Sequence, residues 1–180
     1  ICPLCPRAEF AHANTVSPLA NGDILVSFRV LNTIILIDRK TRKIKWEHKD
    51  LSFGHQHDCH FLDNGNILLF CNGFHGRDVD MASSVREFNP QTGDLVWEYK
   101  AKPLSSFFSA NISGAQRLWS GNTLICEGYK GCLFEVNNEG EIVWEFVNPY
   151  LSAHPAFGMT NWIFRAFRYA PNAPQLVNFI

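Results

Sequence analysis

The sequence predicts an all-β fold: a β-propeller built of four-stranded antiparallel blades. Three observations carry that expectation. A hairpin phrase occurs three times, as Asn21-Gly22-Asp23-Ile24-Leu25-Val26, Asn64-Gly65-Asn66-Ile67-Leu68-Leu69 and Gly121-Asn122-Thr123-Leu124-Ile125-Cys126. Each phrase is followed by a second apolar run, at 34–38, 85–89 and 133–137. Each unit closes on a run centred on tryptophan, Ile44-Lys45-Trp46-Glu47-His48, Leu95-Val96-Trp97-Glu98-Tyr99 and Ile142-Val143-Trp144-Glu145-Phe146. A repeat of about 50 residues is the length of a propeller blade or of a unit in another stacked array.

The elements follow in order. The first unit reads as strands at 12–19, 23–29, 33–38 and 43–48. The second reads as 55–62, 66–71, 84–89 and 94–99, and the third as 111–118, 122–127, 132–137 and 141–146. Asn-Gly between alternating apolar runs is a hairpin signal. The outer links, such as Asn89-Pro90-Gln91-Thr92-Gly93 and Asn137-Asn138-Glu139-Gly140, are rich in turn formers. Val, Ile, Phe and Trp fill the strands, as pleated, half-buried surfaces favour. Long loops are expected at 72–83 and 147–160, and residues 162–169 read as the innermost strand of a fourth blade. The blades thus span about 12–48, 55–99 and 111–146 of a single domain over 1–180. Three blades and part of a fourth are too few for a closed ring, which takes four to eight. The expected partner is either the remainder of a larger propeller or a second copy of the chain.

Composition narrows the function. The 180 residues are 46% hydrophobic, enough to bury a core, and the net charge of −1 gives no electrostatic reason to expect a nucleic acid or an anionic membrane. No apolar run approaches the roughly 20 residues that span a bilayer. The start, Ile1-Cys2-Pro3, has neither Met nor a signal pattern, so the chain reads as processed, truncated or partial. Cys126 and Cys132 flank one expected turn and Cys59 and Cys71 bracket another; they read either as disulfides of an oxidising compartment or as buried thiols. Cys2-x-x-Cys5 is half of a zinc site or a redox pair, but no second CxxC accompanies it, so no metal is expected.

Aligning the units on their turn glycines selects the candidate site. His12, His55 and Asn111 share one position, and Asn14, His57 and Ser113 the position two residues on. Residues i and i+2 of a strand share a face. Polar groups therefore converge near one mouth of the channel, where imidazoles act as acid, base or nucleophile near neutral pH. The run Gly54-His55-Gln56-His57-Asp58-Cys59-His60 also has a His-x-His pattern used by zinc and copper, although His60 should face away in a regular strand. Arg77, in the loop after Asn72-Gly73-Phe74-His75-Gly76, either offers its fork to an anionic oxygen or pairs with Asp78 or Asp80. Trp46, Trp97 and Trp144 read as blade-to-blade packing, and His48 and His154 as surface residues.

At these residues the chain resembles the arylsulfotransferase-like propeller family. The matching stretches are Phe10-Ala11-His12-Ala13-Asn14, Gln56-His57-Asp58, Leu62-Asp63-Asn64-Gly65-Asn66, Phe70-Cys71-Asn72-Gly73 with Arg77, Ser84-Val85-Arg86-Glu87-Phe88 and Phe164-Arg165-Ala166. The resemblance implies a six-bladed periplasmic enzyme that moves a sulfuryl group between phenols through a sulfated histidine, with no nucleotide cofactor. It implies catalytic roles for His12, His57 and Arg77: the histidines bind sulfate oxygens or assist proton transfer, and Arg77 neutralises the sulfate. Asn14, His55, Asn111 and Arg165 are expected to line the site of a small anionic or phenolic substrate, with no cofactor, in a periplasmic or secreted protein. One departure stands out. The family's nucleophilic histidine lies two residues before the last arginine, and here Ile163-Phe164 precede Arg165. Either another histidine, such as His57 or His154, takes its place, or the chain is a diverged relative with other chemistry or a non-catalytic binding propeller. Asn89-Pro90-Gln91-Thr92-Gly93-Asp94-Leu95-Val96-Trp97 is also similar to the docking repeat of quinoprotein propellers, which implies pyrroloquinoline quinone and calcium, but no adjacent-cysteine pair accompanies it.

Overall fold

The turn phrases set the architecture. The computed structural model describes residues 5–75 and 81–176. The first blade is β1 (Ala13–Pro18), β2 (Ile24–Phe28), β3 (Thr33–Ile37) and β4 (Ile44–Lys49). The second is β5 (His57–Phe61), β6 (Ile67–Cys71), β7 (Ser84–Phe88) and β8 (Leu95–Tyr99). The third is β9 (Gly114–Arg117), β10 (Thr123–Glu127), β11 (Cys132–Val136) and β12 (Ile142–Val147). In each sheet the strands are hydrogen-bonded in chain order and antiparallel, the meander expected of a propeller blade.

Burial shows how the blades pack. All five residues of β6 are buried, and their alternation divides them between two cores. Ile67, Leu69 and Cys71 face the first blade, packing with Leu25, Ile34, Phe53 and Phe88. Leu68 and Phe70 face the third, with Tyr99, Phe107, Ile125 and Phe134. Each such side chain contributes about 1.5–3 kcal/mol on burial. The tryptophans do the packing expected of them. The Trp46 indole donates to the Pro90 carbonyl at 2.8 Å, and Trp97 donates to the Asn138 carbonyl at 3.1 Å, each on the outer turn of the next blade.

Three sequence expectations need revision, and of the two readings of the cysteines one holds. Residues 162–169 form no ladder, because no strand pairs with them among the described residues; they lie extended along β9, where Gln116 and Arg168 exchange two hydrogen bonds. The loop at 147–160 contains a short hairpin, β13 (Ser152–His154) and β14 (Gly158–Thr160). Cys59, Cys71, Cys126 and Cys132 are free thiols. Cys126 stands opposite Leu133 and Cys132 opposite Glu127, so neighbouring rungs turn these two thiols to opposite faces. A bulge between His57 and His60 staggers Cys59 from Cys71. Burial pushes Cys71 and Cys126 up to about 12, which leaves them unreactive. Lastly, His48 is no surface residue: it stacks on Phe88 at 4.9 Å and packs on Phe53. Among the described residues no helix is long and apolar enough to cross a membrane.

Candidate functional site

The inner strands do not begin as regular strands. His12, His55, Ile112 and Ser113 all have positive φ, at 48°, 71°, 51° and 85°. Non-glycine residues rarely adopt that region, and such strain gathers where a site is built. It also breaks the alternation that would put His55 and His57 on one face, and the two imidazoles go to different partners.

Buried amides lock each strand start onto its neighbours. The Asn32 side-chain oxygen accepts the His55 N–H at 2.6 Å. The fully buried Gln56 amide donates to Ser27 Oγ at 3.0 Å and to the Phe28 carbonyl at 3.2 Å. Asn14 donates to the Gln56 carbonyl at 2.7 Å. Asn72, also fully buried, does the same toward the third blade, donating to the carbonyls of Ser109 at 2.8 Å and Ile112 at 3.1 Å. Asn111 lies beside this joint, where its carbonyl accepts from Ser109 Oγ. Among the described residues, the buried side-chain oxygens of Asn14 and Asn111 have no hydrogen-bond partner.

These two donated bonds fix the chemistry of His57. With its nitrogen committed to carbonyls, Asn72 must present Oδ1 to His57, and Oδ1 lies 2.7 Å from Nδ1. The His55 carbonyl lies 3.1 Å from the same nitrogen. Both are acceptors, so Nδ1 carries the proton and Nε2 keeps its lone pair. Among the described residues Nε2 has no hydrogen-bond partner. Burial pushes both His57 and His55 down to about 4, aided by the Arg29 charge.

Arg29 is the residue that sequence reasoning missed. It ends the apolar run of β2 and is largely buried, with Glu9 Oε2 3.9 Å away. Burial lowers His55, His57 and His75, and the Arg29 charge adds to the lowering at each of them. A charge closing an otherwise apolar strand was the available signal. His12 joins this group, with Nδ1 3.2 Å from Glu9 Oε2. His55 faces Cys5 and His75, its Nε2 3.6 Å from Cys5 Sγ. Arg77 lies outside the described residues.

Arg165 is placed elsewhere, along the inner strands. Its guanidinium lies 3.2 Å from Oδ1 of the buried Asp58, whose Oδ2 accepts the Ala115 N–H at 3.1 Å. The pair sits in an open groove of 880 Å³ that also touches Thr15, Ser17, Arg117 and Trp119. Burial raises the Asp58 carboxyl while Arg165 and His60 oppose the rise. Arg165→Ala strands this carboxylate and should cost about 2–3 kcal/mol, below the usual loss for a buried pair because Arg165 is part exposed. Without Arg165 the folded-state pKa of Asp58 rises further above its unfolded value. The deficit is therefore full near neutral pH and shrinks as pH falls toward about 4. Urea unfolding at the two pH values measures it, and an equal deficit at both would refute the account.

Antiparallel four-stranded blades, packed face to face with polar inner-strand starts, define a β-propeller. The family model described as arylsulfotransferase (ASST) matches residues 7–149, and the chain belongs to that family. Among solved structures it is similar to virginiamycin B lyase from Staphylococcus aureus, with 17% identity and a TM-score of 0.54 over 82% of this chain and 44% of that one. It is similar also to a streptogramin B lyase, with 14% identity and a TM-score of 0.56 over 78% of this chain and 42% of that one. At these identities the likeness is one of fold, and the chain spans less than half the length of either structure. No curated protein matches the sequence.

Proposed function

We propose that this propeller transfers sulfuryl groups from aryl sulfates to phenols, with His57 as the nucleophile. The observation that carries the reading is the Asn72 clamp, which holds Nδ1–H and leaves the Nε2 lone pair without a hydrogen-bond partner among the described residues. In the first half-reaction Nε2 attacks sulfur and the sulfur–oxygen bond to the aryl group breaks. The electron pair leaves on the phenolate oxygen, which takes a proton from His12 or water. In the second, the acceptor phenol gives its proton to the same His12 or water, its oxygen attacks sulfur, and the nitrogen–sulfur bond returns its pair to Nε2. Arg29 balances the sulfuryl oxygens through both steps, as fixed cations do for developing anions. Tyr129, whose N–H reaches Ser109 in the Asn72 network, stacks on Trp162 at 4.3 Å and offers an aromatic wall to the phenol.

His154 is the weaker candidate. Its Nδ1 already accepts the Ala156 N–H at 3.1 Å, and its ring is held against Phe157 and Trp162. In this proposal the ring is completed by further blades, from the same polypeptide or a second copy, and the protein works outside the cytoplasm, as family membership suggests. A second reading is a propeller that binds anions without turnover. It is favoured by Ile163, which occupies the family's nucleophile position and holds Gly128 through a 3.0 Å backbone bond.

Release of phenol from an aryl sulfate, with and without a phenolic acceptor, tests the choice. Ping-pong kinetics and phenol release that the acceptor accelerates are expected. Sulfate binding without phenol release would establish the second reading. Arg29→Met should raise KM for the aryl sulfate about tenfold, the equivalent of about 1.4 kcal/mol. An unchanged KM would remove Arg29 from the site.

A further inference from the structure

We propose that the groove along the inner strands binds a neutral saccharide, at a site separate from His57 and Arg29. The groove is open and holds 880 Å³, a size suited to a small-molecule ligand. Three inner segments meet on it: β1 with Thr15 and Ser17, β5 with Asp58 and His60, and the extended segment beside β9 with Arg165 and Phe167. Charge on this wall is balanced. Arg165 lies 3.2 Å from Asp58 and Arg117 lies 2.8 Å from Glu87, so among the described residues the groove has no cation in excess. Sulfate or another anion would find no complementary field there, whereas a neutral ligand meets no opposing one.

Hydrogen-bonding capacity that the protein leaves unused points to hydroxyl groups. His60 Nδ1 lies 3.0 Å from the Asp58 carbonyl, which only accepts, so in the neutral imidazole Nε2 is an acceptor. Among the described residues His60 Nε2 and the Ser17 hydroxyl have no hydrogen-bond partner. Thr15 is 9% exposed, and its Oγ1 lacks a partner, as does Arg165 Nε. The wall thus mixes spare donors with a spare acceptor. A carboxylate would serve only the donors and an ammonium only the acceptor, but a hydroxyl both donates and accepts. Groups spread over three segments call for several hydroxyls. The groove also carries exposed aromatic surface. Trp119, in the turn after β9, and Phe167 both line it and are 58% and 56% exposed. The negative face of an aromatic ring attracts the polarised C–H groups on the flat side of a pyranose. Hydroxyls at the rim and C–H groups on the faces are the chemistry of a sugar ring.

The probes are cellobiose and maltose, the β- and α-linked disaccharides of glucose. Each is titrated at millimolar concentration into the full chain and followed by calorimetry and tryptophan emission. At least one should bind and change the emission. Trp119→Ala, at an exposed turn position, should weaken that binding about tenfold or more. His60→Asn keeps a donor for the Asp58 carbonyl and loses the Nε2 acceptor, and should weaken it about fivefold. Thermal unfolding confirms that both variants fold. Saturating inorganic sulfate should leave the affinity unchanged, so the outcome is independent of sulfuryl transfer. Binding of neither disaccharide, or native affinity in either folded variant, overturns the proposal. Displacement by sulfate would place the sugar at the anion site and overturn it equally.

Discussion

His57→Asn should abolish aryl sulfate turnover, with kcat falling about 10⁴-fold or more while the fold survives. The choice of asparagine matters. Its amide nitrogen occupies nearly the place of Nδ1 and can still donate to Asn72 Oδ1, now at 2.7 Å from the imidazole. The buried joint between the second and third blades then keeps its hydrogen bonds. What disappears is the Nε2 lone pair, and with it the covalent carrier. Loss of a general base alone costs about 10²–10⁴-fold, and loss of a nucleophile costs more. Two measurements separate a nucleophile from a merely bound imidazole. Native protein quenched with aryl sulfate and no acceptor should gain the mass of SO₃ on the peptide containing His57. The asparagine variant should gain none, yet should still bind the aryl sulfate through Arg29. Turnover within threefold of native in the variant would sink the mechanism, and an adduct on His154 would reassign it.

The fold was legible in the sequence because blades repeat. Three copies of a turn phrase and three tryptophans in register state the same local answer independently, and consistency of that kind is what a folding sequence supplies. The site was only half legible. Aligning the repeats selects His12, His55 and His57, because polar residues stand where a strand would carry Val or Leu. It does not reveal what each faces. The left-handed residues His12 and His55 turn the chain before the ladder begins, and a period of two cannot anticipate that. Arg29 escaped because it lies at the far end of a neighbouring strand, outside every histidine motif. Asn72 and Gln56 escaped for a related reason: their importance is in the carbonyls they satisfy, and those belong to other blades. The thiols stayed open between disulfides and buried free thiols because sequence proximity across a turn does not specify register, and one rung turns a side chain to the opposite face.

Gly73→Ala should be the most damaging single change to stability among the loop residues. Gly73 follows Asn72 and has φ +70°, where an L-residue costs about 1–2 kcal/mol. A Cβ there would lie 1.8 Å from the Ala82 carbonyl oxygen, and that oxygen belongs to backbone that cannot swing aside as a side chain would. Gly54 backs onto Gly73, and a Cβ on Gly54 would come within 2.5 Å of its Cα. The loop cannot relieve the clash by moving the other way. The expected loss is about 4 kcal/mol or more, beyond the usual range for one substitution, and a Tm about 10 °C lower in a domain of this size. Gly65→Ala is the control. It has φ +83° with nothing within 4 Å of the added Cβ, so it meets the conformational cost alone, about 1 kcal/mol. Because Gly73 also positions Asn72 against His57, its alanine variant should lose turnover even where it remains folded, whereas Gly65→Ala should keep it. Equal Tm values for the two variants would show that the loop is not seated where the hydrogen bonds of Asn72 require it to be.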